Sequence, residues 1–313
     1  KTGVKGDRAA NFTMQNSDLI ISIGSSLHVT VIGYTYEHFA RNAKKIVVDI
    51  DQTSHKKNTI KIDHFIHSDA KKFFEKLEKY TETKELKKFS EWLKQCNNWK
   101  IKYPVSLPEY KKNKNKINSY LLIDTICKYS KENDVFVSDA GGAYYATSQA
   151  IKLTKKDQRY IPSGAMATMG YTLPASIGIS VATNKKRVIG LTGDGSFQQN
   201  IQELQTIIEY NLPVKLFILN NNGYESIRTS QKNYFKNRFL GEGNDSGLSF
   251  PNTEKIAKAY GIEFVKIDKN SELDNKIKNV LNYDGPVICE VMVPEDQQII
   301  PTVSSRVNSD GTM

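Results

Sequence analysis

The sequence of 313 residues is longer than a usual single domain, so its length favours two domains. Hydrophobic residues make up 39% and charged residues 25%, and no run approaches 18 uninterrupted apolar residues, so we expect no membrane span. The net charge of +10 comes from scattered lysines and a basic linker, so we expect no nucleic-acid partner. The three cysteines form no CxxC pair, which fits a reducing compartment and a cytoplasmic location.

The first hundred residues alternate between apolar runs and helical patterns. The run "DLIISIGSSL" predicts a buried parallel strand, "YEHFARNAK" a helix and "KKIVVDID" a second strand. A short strand in "IKIDHFIHSD" and a long helical region from "AKKFFEKLEKY" follow. We therefore predict a partial α/β domain over residues 1–103. The prolines and lysines of "YPVSLPEYKKNKNK" predict a linker over residues 104–116.

Residues 117–313 alternate again and form the second predicted domain. Strands are predicted at "DVFVSD", "RVIGLT", "VKLFIL", "IEFVKI" and "PVICEVMV", and a loop at "AGGAYYA". Helices are predicted at "SYLLIDTICKYSKE", from about Phe197 to Tyr210, at "TEKIAKAYG" and near Glu272–Leu281. Because helix follows strand, the fold class is α/β, with mostly parallel, doubly wound sheets in two domains. The sequence starts at Lys1 and ends in "NSDGTM", so we expect it to be part of a longer protein.

The stretch "TGDGSFQQN" places Asp194 where a predicted strand stops and a helix starts. A right-handed crossover brings Asp194 and Asn221 to the carboxyl ends of neighbouring parallel strands, where open α/β sheets bind ligands. The first N–H groups of the following helix are predicted to form an anion site at the same edge. A helix N-terminus stabilises a nearby anion by about 0.3–2 kcal/mol. Two unit charges 4 Å apart interact by about 4 kcal/mol at a dielectric of 20, and a divalent ion roughly doubles this attraction. The sequence therefore predicts that Asp194 binds Mg²⁺ and that the ion binds a phosphate.

The stretch "GDGSFQQNIQELQTIIEYNLPVKLFILNN" resembles the signature of thiamine diphosphate-binding enzymes, in which GDG is followed by about two dozen residues and NN. The resemblance implies that Asp194, Asn221 and the carbonyl of Gly223 bind the metal. It also implies that the residues around them contact thiamine diphosphate: Gly193, Asp194, Gly195, Ser196, Asn221, Gly223 and Tyr224. The alternative for the GDG alone is a tight turn with an exposed aspartate.

Two further segments carry the same resemblance. "ATMGYTLPASIG" is similar to the acetolactate synthase segment TMG, two residues, LPAAIG, which implies that Met169 supports the bent cofactor and that Ala167 offers a carbonyl to the aminopyrimidine. The alternative for Met169 is packing in the core. "SDAGGAYYATSQ" is similar to the loop that contacts the diphosphate, which implies that the backbones of Gly141, Gly142 and Ala143 do so, although these glycines could also only shape a turn.

The chain also departs from acetolactate synthases. "RAANFTMQNSDLIISIGSSL" resembles the later half of the central domain, but "SSLHVTVIG" replaces the flavin-contacting Arg-Phe-Asp-Asp-Arg, so FAD is doubtful. "TSQ" replaces Gln-Trp-Gln, so the product acetolactate is in doubt. The segment "NGYESIRTSQKNYFKNRFLGEG" is predicted to cover the substrate side, with Tyr224, Arg228 and Gln231 as substrate contacts; the alternative is a solvated loop.

The resemblance implies a thiamine diphosphate- and Mg²⁺-dependent transferase or lyase that decarboxylates a 2-oxo acid and transfers the two-carbon unit, as a homodimer or a higher oligomer. The family's catalytic glutamate lies in an N-terminal domain, so we assign no catalytic residue and expect this chain to be inactive alone. A simple 2-oxo acid decarboxylase and a non-catalytic diphosphate-binding subunit remain alternatives. A nicotinamide-dependent dehydrogenase is disfavoured, because no GxGxxG opens a helix after a strand. His64 and His67 are predicted to be surface residues.

Overall fold

The computed structural model describes residues 2–53, 55–56, 58–112 and 116–303. Residues 113–115 of the predicted linker and residues 304–313 of the predicted second domain lie outside the described residues. The described residues form two compact units, one comprising residues 2–104 and 300–303 and the other comprising Val105–Ile299. The second unit begins inside the segment predicted as a linker, because Pro108–Lys112 form a 3₁₀ helix in which Tyr110 stacks on Tyr120.

The first unit is built on a three-stranded parallel sheet with the order β1-β2-β3. Its strands are β1 (Leu19–Ile23), β2 (Lys44–Asp49) and β3 (His64–His67). Its helices are α1 (Arg8–Gln15), α2 (Val29–Ile32), α3 (Ala70–Thr81) and α4 (Ser90–Lys102). His64 and His67 are exposed on β3, as predicted.

One helix predicted in this unit is absent. In the stretch "YEHFARNAK", only Tyr36–His38 are helical, as a 3₁₀ helix, and residues 39–42 form turns. Ala40 adopts φ 43°, in the left-handed region, and its N–H donates to the side chain of Gln15 at 3.0 Å. A residue in that conformation ends a right-handed helix, so the prediction of a longer helix is wrong.

The second unit contains a six-stranded, all-parallel sheet with the order β5-β4-β6-β7-β9-β8. Its strands are β4 (Val135–Ser138), β5 (Arg159–Pro162), β6 (Val188–Gly193), β7 (Val214–Asn220), β8 (Glu263–Ile267) and β9 (Val287–Met292). The predicted α/β fold with parallel sheets is therefore confirmed. The edge strand β5 is not predicted from the sequence, because it is only four residues long and none of its residues is fully buried.

Helices cover both faces of this sheet. They are α5 (Ser119–Tyr129), α6 (Gly141–Ala150), α7 (Thr172–Ala182), α8 (Asp194–Phe197), α9 (Leu204–Glu209), α10 (Glu225–Tyr234), α11 (Thr253–Ala259) and α12 (Asn270–Asn282). On β7, Phe217 and Leu219 pack into the core with α5, α6 and α12, whereas Leu216 and Ile218 pack into the core with α7, α9 and α11. This alternation follows from the two-residue period of a strand buried on both faces. None of the helices in the described part of the chain is long and apolar enough to cross a bilayer.

Two local predictions near the carboxyl edge of this sheet need correction. The predicted loop "AGGAYYA" instead opens α6, which starts at Gly141. The helix predicted from about Phe197 to Tyr210 is broken into α8, a 3₁₀ helix over Gln198–Glu203, and α9. The break lies at Asn200, which has φ −140° and donates its side-chain N–H to the carbonyl of Gly170 at 2.9 Å.

Candidate functional site

Asp194 directly follows β6, and its carboxylate is buried, with 5% of the residue exposed. Its Oδ1 accepts the N–H of Gly195 at 2.8 Å, and its Oδ2 accepts the N–H groups of Asn221 and Gly223, each at 3.1 Å. Because β6 and β7 are paired and parallel, their carboxyl ends lie side by side and bring Asp194 and Asn221 together. Burial raises the pKa of Asp194 to about 6, although the backbone N–H donors oppose this rise.

The chemistry at Asp194 fits a hard divalent cation. Among the described residues, no cationic side chain hydrogen-bonds to Asp194, and the side-chain amide of Asn221 makes no hydrogen bond. A carboxylate and an amide oxygen are ligands that Mg²⁺ accepts, usually together with phosphate oxygens and water. The described residues contain no group of three His, Cys, Asp or Glu that could hold a metal ion by itself. An ion at Asp194 would therefore complete its shell with amide and carbonyl oxygens, water and the oxygens of a bound ligand.

A cavity of about 330 Å³ opens beside Asp194, within the size range of ligand pockets. Every residue predicted to contact the cofactor lines it: Gly141, Gly142, Ala143, Ala167, Met169, Gly193, Asp194, Gly195, Ser196, Asn221, Gly223 and Tyr224. These residues come from distant parts of the chain, and they follow the carboxyl ends of β4, β5, β6 and β7 at one edge of the sheet. The sequence motifs that resemble the thiamine diphosphate-binding family therefore meet at one cavity.

Small residues and unusual backbone angles shape the wall opposite Asp194. Gly141 has φ 56°, and a Cβ built on Gly142 would lie 3.1 Å from a carboxylate oxygen of Glu225. Ala167 has φ 46° and ψ 46°, in the left-handed region. Met169 is 39% exposed and belongs to neither core cluster, so the alternative that it only fills the core has no support.

The helix at the predicted anion site is much shorter than predicted. The four-residue α8 begins at Asp194 itself, so only three residues follow Asp194 before the 3₁₀ segment, and the N–H of Gly195 donates to the Asp194 carboxylate. A single turn sums few peptide dipoles, so its terminus carries little positive charge. A cation bound at Asp194 is therefore the stronger attraction for a phosphate.

Two of the three predicted substrate contacts lie elsewhere. Tyr224 lines the cavity and meets Phe250 edge to face, with ring centroids 5.6 Å apart. Arg228 and Gln231 do not line the cavity. Both lie on α10, where Arg228 pairs with Glu242 and the side chain of Gln231 bonds the N–H and carbonyl of Leu240. Their internal partners explain why neither side chain is directed to a ligand.

The cavity also contains residues that sequence reasoning missed. They are Ser119, Ala140, Tyr145, Leu219, Glu225, Ser226, Ile227, Val293, Pro294, Gln297 and Ile299. Val293 and Pro294 directly follow β9, so the strand-end rule that indicates Asp194 could have found them. Within the described chain, the lining carries the carboxylates of Asp194 and Glu225 but no lysine, arginine or histidine.

Comparison with known proteins identifies the family to which the chain belongs. The family described as "Thiamine pyrophosphate enzyme, C-terminal TPP binding domain" matches residues 139–291, and "Thiamine pyrophosphate enzyme, central domain" matches residues 1–77. Acetolactate synthase large subunit of Porphyra purpurea is 30% identical over 309 residues, which cover 96% of this chain and 50% of the relative. Acetolactate synthase 1, chloroplastic, of Nicotiana tabacum is 31% identical, with 97% and 46% covered.

A third relative is the acetolactate synthase large subunit of Buchnera aphidicola subsp. Schizaphis graminum, which is 32% identical over 303 residues. The chain spans about half the length of the curated relatives it matches. The two family matches cover both structural units, and the GDG and NN motifs lie inside the second match. The chain therefore belongs to the thiamine pyrophosphate enzyme family and is similar to acetolactate synthases over nearly its whole length.

Proposed function

We propose that this chain forms the diphosphate- and Mg²⁺-binding part of a thiamine diphosphate-dependent enzyme that acts on a 2-oxo acid. The proposed reaction is decarboxylation followed by transfer of the two-carbon unit, as in an acetolactate synthase. The observation that carries the proposal is the buried carboxylate of Asp194. It has no cationic partner among the described residues and lines a cavity together with Asn221 and Gly223.

In this proposal the chain binds the cofactor through a metal ion. The carboxylate of Asp194, the amide oxygen of Asn221 and the carbonyl of Gly223 hold Mg²⁺, which neutralises the diphosphate. Gly141 and Gly142 carry no Cβ, which lets their backbones approach the phosphate oxygens closely. The carboxylate of Asp194 is already desolvated before the ion binds. Because its charge has no cationic partner among the described residues, contact with the ion is favoured.

Other lining residues orient the cofactor. Met169, which lines the cavity and is partly exposed, would support the cofactor, and Ala167, in the left-handed conformation, would offer its carbonyl to the aminopyrimidine. Thiamine diphosphate supplies, when bound, an electron sink for the carbanion equivalent that decarboxylation leaves. Tyr224 and the apolar residues Ile227, Val293 and Ile299 exclude water from the same cavity.

The chain alone is proposed to be inactive. By its likeness to the family, the glutamate that transfers protons belongs to an N-terminal domain and acts across a homodimer interface. The cavity lining offers no histidine or lysine for this task within the described residues, and Asp194 is committed to the ion.

The test is an assay of the complete protein, freed of cofactor, with pyruvate as substrate. CO₂ release should require both thiamine diphosphate and Mg²⁺, and a product that joins the two-carbon unit to a second pyruvate, instead of free acetaldehyde, distinguishes a synthase from a simple decarboxylase. Cofactor binding without CO₂ release would instead support a non-catalytic diphosphate-binding subunit. CO₂ release that never depends on thiamine diphosphate would contradict the proposal.

A further inference from the structure

Arg228 lies on α10 and folds back over the segment 220–223, which we call the Asn loop. Its Nε donates to the carboxylate of Glu242 at 2.5 Å, and one terminal nitrogen donates to the carbonyl of Glu295 at 2.7 Å. That same nitrogen, Nη1, also reaches the carbonyl of Asn221 at 3.4 Å, and the other terminal nitrogen, Nη2, reaches the carbonyl of Asn222 at 3.3 Å. The short contacts fix the guanidinium, and the two long, weaker ones hold the Asn loop against it.

The opposite side of the Asn loop faces Asp194. The N–H groups of Asn221 and Gly223 both donate to its carboxylate, while the N–H of Asn222 donates to Oδ1 of Asn220 at 3.0 Å. The Asn loop is thus held between two charges. Two of its N–H groups, those of Asn221 and Gly223, donate to the carboxylate, and two of its carbonyls, those of Asn221 and Asn222, accept from the guanidinium.

Steric fit supports the same arrangement. Gly223 has φ 151°, and a Cβ built there would collide with the carbonyl of Glu242 and lie 2.8 Å from a terminal nitrogen of Arg228. The N–H of Tyr224 donates to that Glu242 carbonyl at 2.8 Å. Arg228 and Glu242 therefore pack directly behind the residue whose carbonyl is proposed as a metal ligand.

Arg228 has no direct route to a ligand. It does not line the cavity, its side chain is only 16% exposed, and Glu242, at 10%, neutralises it. A guanidinium paired in this way is a weak attractor for phosphate but a rigid support, because its planar fork fixes several acceptors at once.

We propose that Arg228 is a positioning residue of the metal site, which holds Asn221 and Gly223 in register with Asp194. The identity of the ion as Mg²⁺ rests on the proposed function, whereas the ordering of the Asn loop does not. Residues that orient metal ligands without touching the metal typically change metal affinity by about 10–100-fold when they are removed.

A merely structural role predicts a different outcome, and the chain contains a matched control. Arg187 forms a comparable ion pair with Asp134, with Nε to Oδ1 at 2.8 Å and side-chain exposures of 13% and 4%, and it also donates to the carbonyl of Leu281. Asp134 and Arg187 directly precede β4 and β6, so this pair lies at the opposite end of the sheet from Asp194. Loss of Arg187 should weaken the fold without disturbing the Asn loop.

The experiment compares Arg228→Met, Arg228→Lys and Arg187→Met in the complete protein. Calorimetric titration of thiamine diphosphate at a series of Mg²⁺ concentrations gives the Mg²⁺ concentration for half-saturation. Arg228→Met should raise it by about 10–100-fold and Arg228→Lys by less, because an ammonium keeps a charge but not the fork. Arg187→Met should lower the thermal midpoint and leave the half-saturating concentration unchanged.

Hydrogen–deuterium exchange of the metal-free proteins gives the second readout. Arg228→Met should accelerate exchange in residues 221–224, and Arg187→Met should not. Equal Mg²⁺ dependence of Arg228→Met and the unmodified protein, or equal effects of the Met substitutions at both arginines, would overturn the proposal. If the unmodified protein binds neither ligand, the proposed function fails, and the exchange of residues 221–224 alone decides whether Arg228 positions the Asn loop.

Discussion

Replacement of Asp194 by asparagine separates the stability of the fold from the binding of the metal. Burial raises the pKa of Asp194 to about 6 from 3.8, so above pH 6 the folded chain holds this charge at a cost of roughly 3 kcal/mol, which disappears below pH 3.8. Asp194→Asn removes that cost. Its NH₂ group, however, turns towards one of the N–H donors, which costs about 1–3 kcal/mol. The free energy of unfolding of the metal-free variant should therefore stay within roughly 2 kcal/mol of the unmodified protein at pH 7.

Unlike the stability, the affinity for Mg²⁺ should fall strongly in Asp194→Asn. A divalent ion relieves the uncompensated charge of the carboxylate, and relief of the burial cost alone corresponds to at least about 100-fold in Mg²⁺ affinity. The direct ion contact adds to this, since a divalent ion and a carboxylate 4 Å apart interact by roughly 8 kcal/mol at a dielectric of 20. Asp194→Asn should thus lose at least about two orders of magnitude in Mg²⁺ affinity, with little change in stability.

The assay pairs urea unfolding without metal with calorimetric titration of Mg²⁺ in the presence of thiamine diphosphate. Asp134→Asn is the control, because it alters a buried carboxylate at the other end of the sheet and leaves Arg187 without its partner. This control should lose about 3–5 kcal/mol of stability and keep its Mg²⁺ affinity. Equal Mg²⁺ affinities for Asp194→Asn and the unmodified protein would refute the assignment of Asp194.

Three further predictions test other parts of the second unit. Gly195→Ala should destabilise the chain by about 1–3 kcal/mol in urea unfolding, because its Cβ would collide with the ring of Tyr224; unchanged stability would show that the ring moves freely. Met169→Ala should change stability by less than about 0.5 kcal/mol, because the side chain is exposed, yet weaken thiamine diphosphate binding in calorimetry; equal affinity would remove Met169 from the site. Burial lowers the pKa of Lys215 to about 8 from 10.5, so the unfolded state binds more protons between these values and stability should rise by roughly 3 kcal/mol from pH 8 to 10.5. Lys215→Met should lack this rise in urea unfolding at graded pH, and an identical pH profile would contradict the argument.

Most of the six-stranded sheet of the second unit was predictable from the sequence, because strands that are buried on both faces are nearly continuous apolar runs. β6 and β7 are two such runs; β6 ends directly before Asp194, and β7 ends at Asn220. The same logic predicts that Asp194 and Asn221 meet, because parallel neighbours end at one edge. The pattern of the strands and the rules for their connections therefore predict the architecture of the second unit and the meeting of Asp194 and Asn221 at the centre of the site.

Helix limits and side-chain partners were not predictable in this way. Gly141 and Gly142 indicate a loop by their low helix propensity, yet they open α6, where packing against the sheet outweighs that propensity. The side chain of Asn200 breaks the helix after Asp194 by bonding to Gly170, a contact across 30 positions that no local pattern encodes. Likewise, nothing in the sequence near Arg228 shows that Glu242 folds back to neutralise it.

The two carboxylates of the cavity lining make the site a coupled receptor. The only charged side chains among the described lining residues are carboxylates, so a pyrophosphate that arrives without a counterion is repelled, and a cation that arrives alone fills the rest of its shell with water instead of phosphate oxygens. Each ligand must therefore raise the affinity for the other by the same factor, as thermodynamic linkage requires. A chelator should strip the cofactor together with the metal, and occupancy in the cell should follow the concentration of free magnesium.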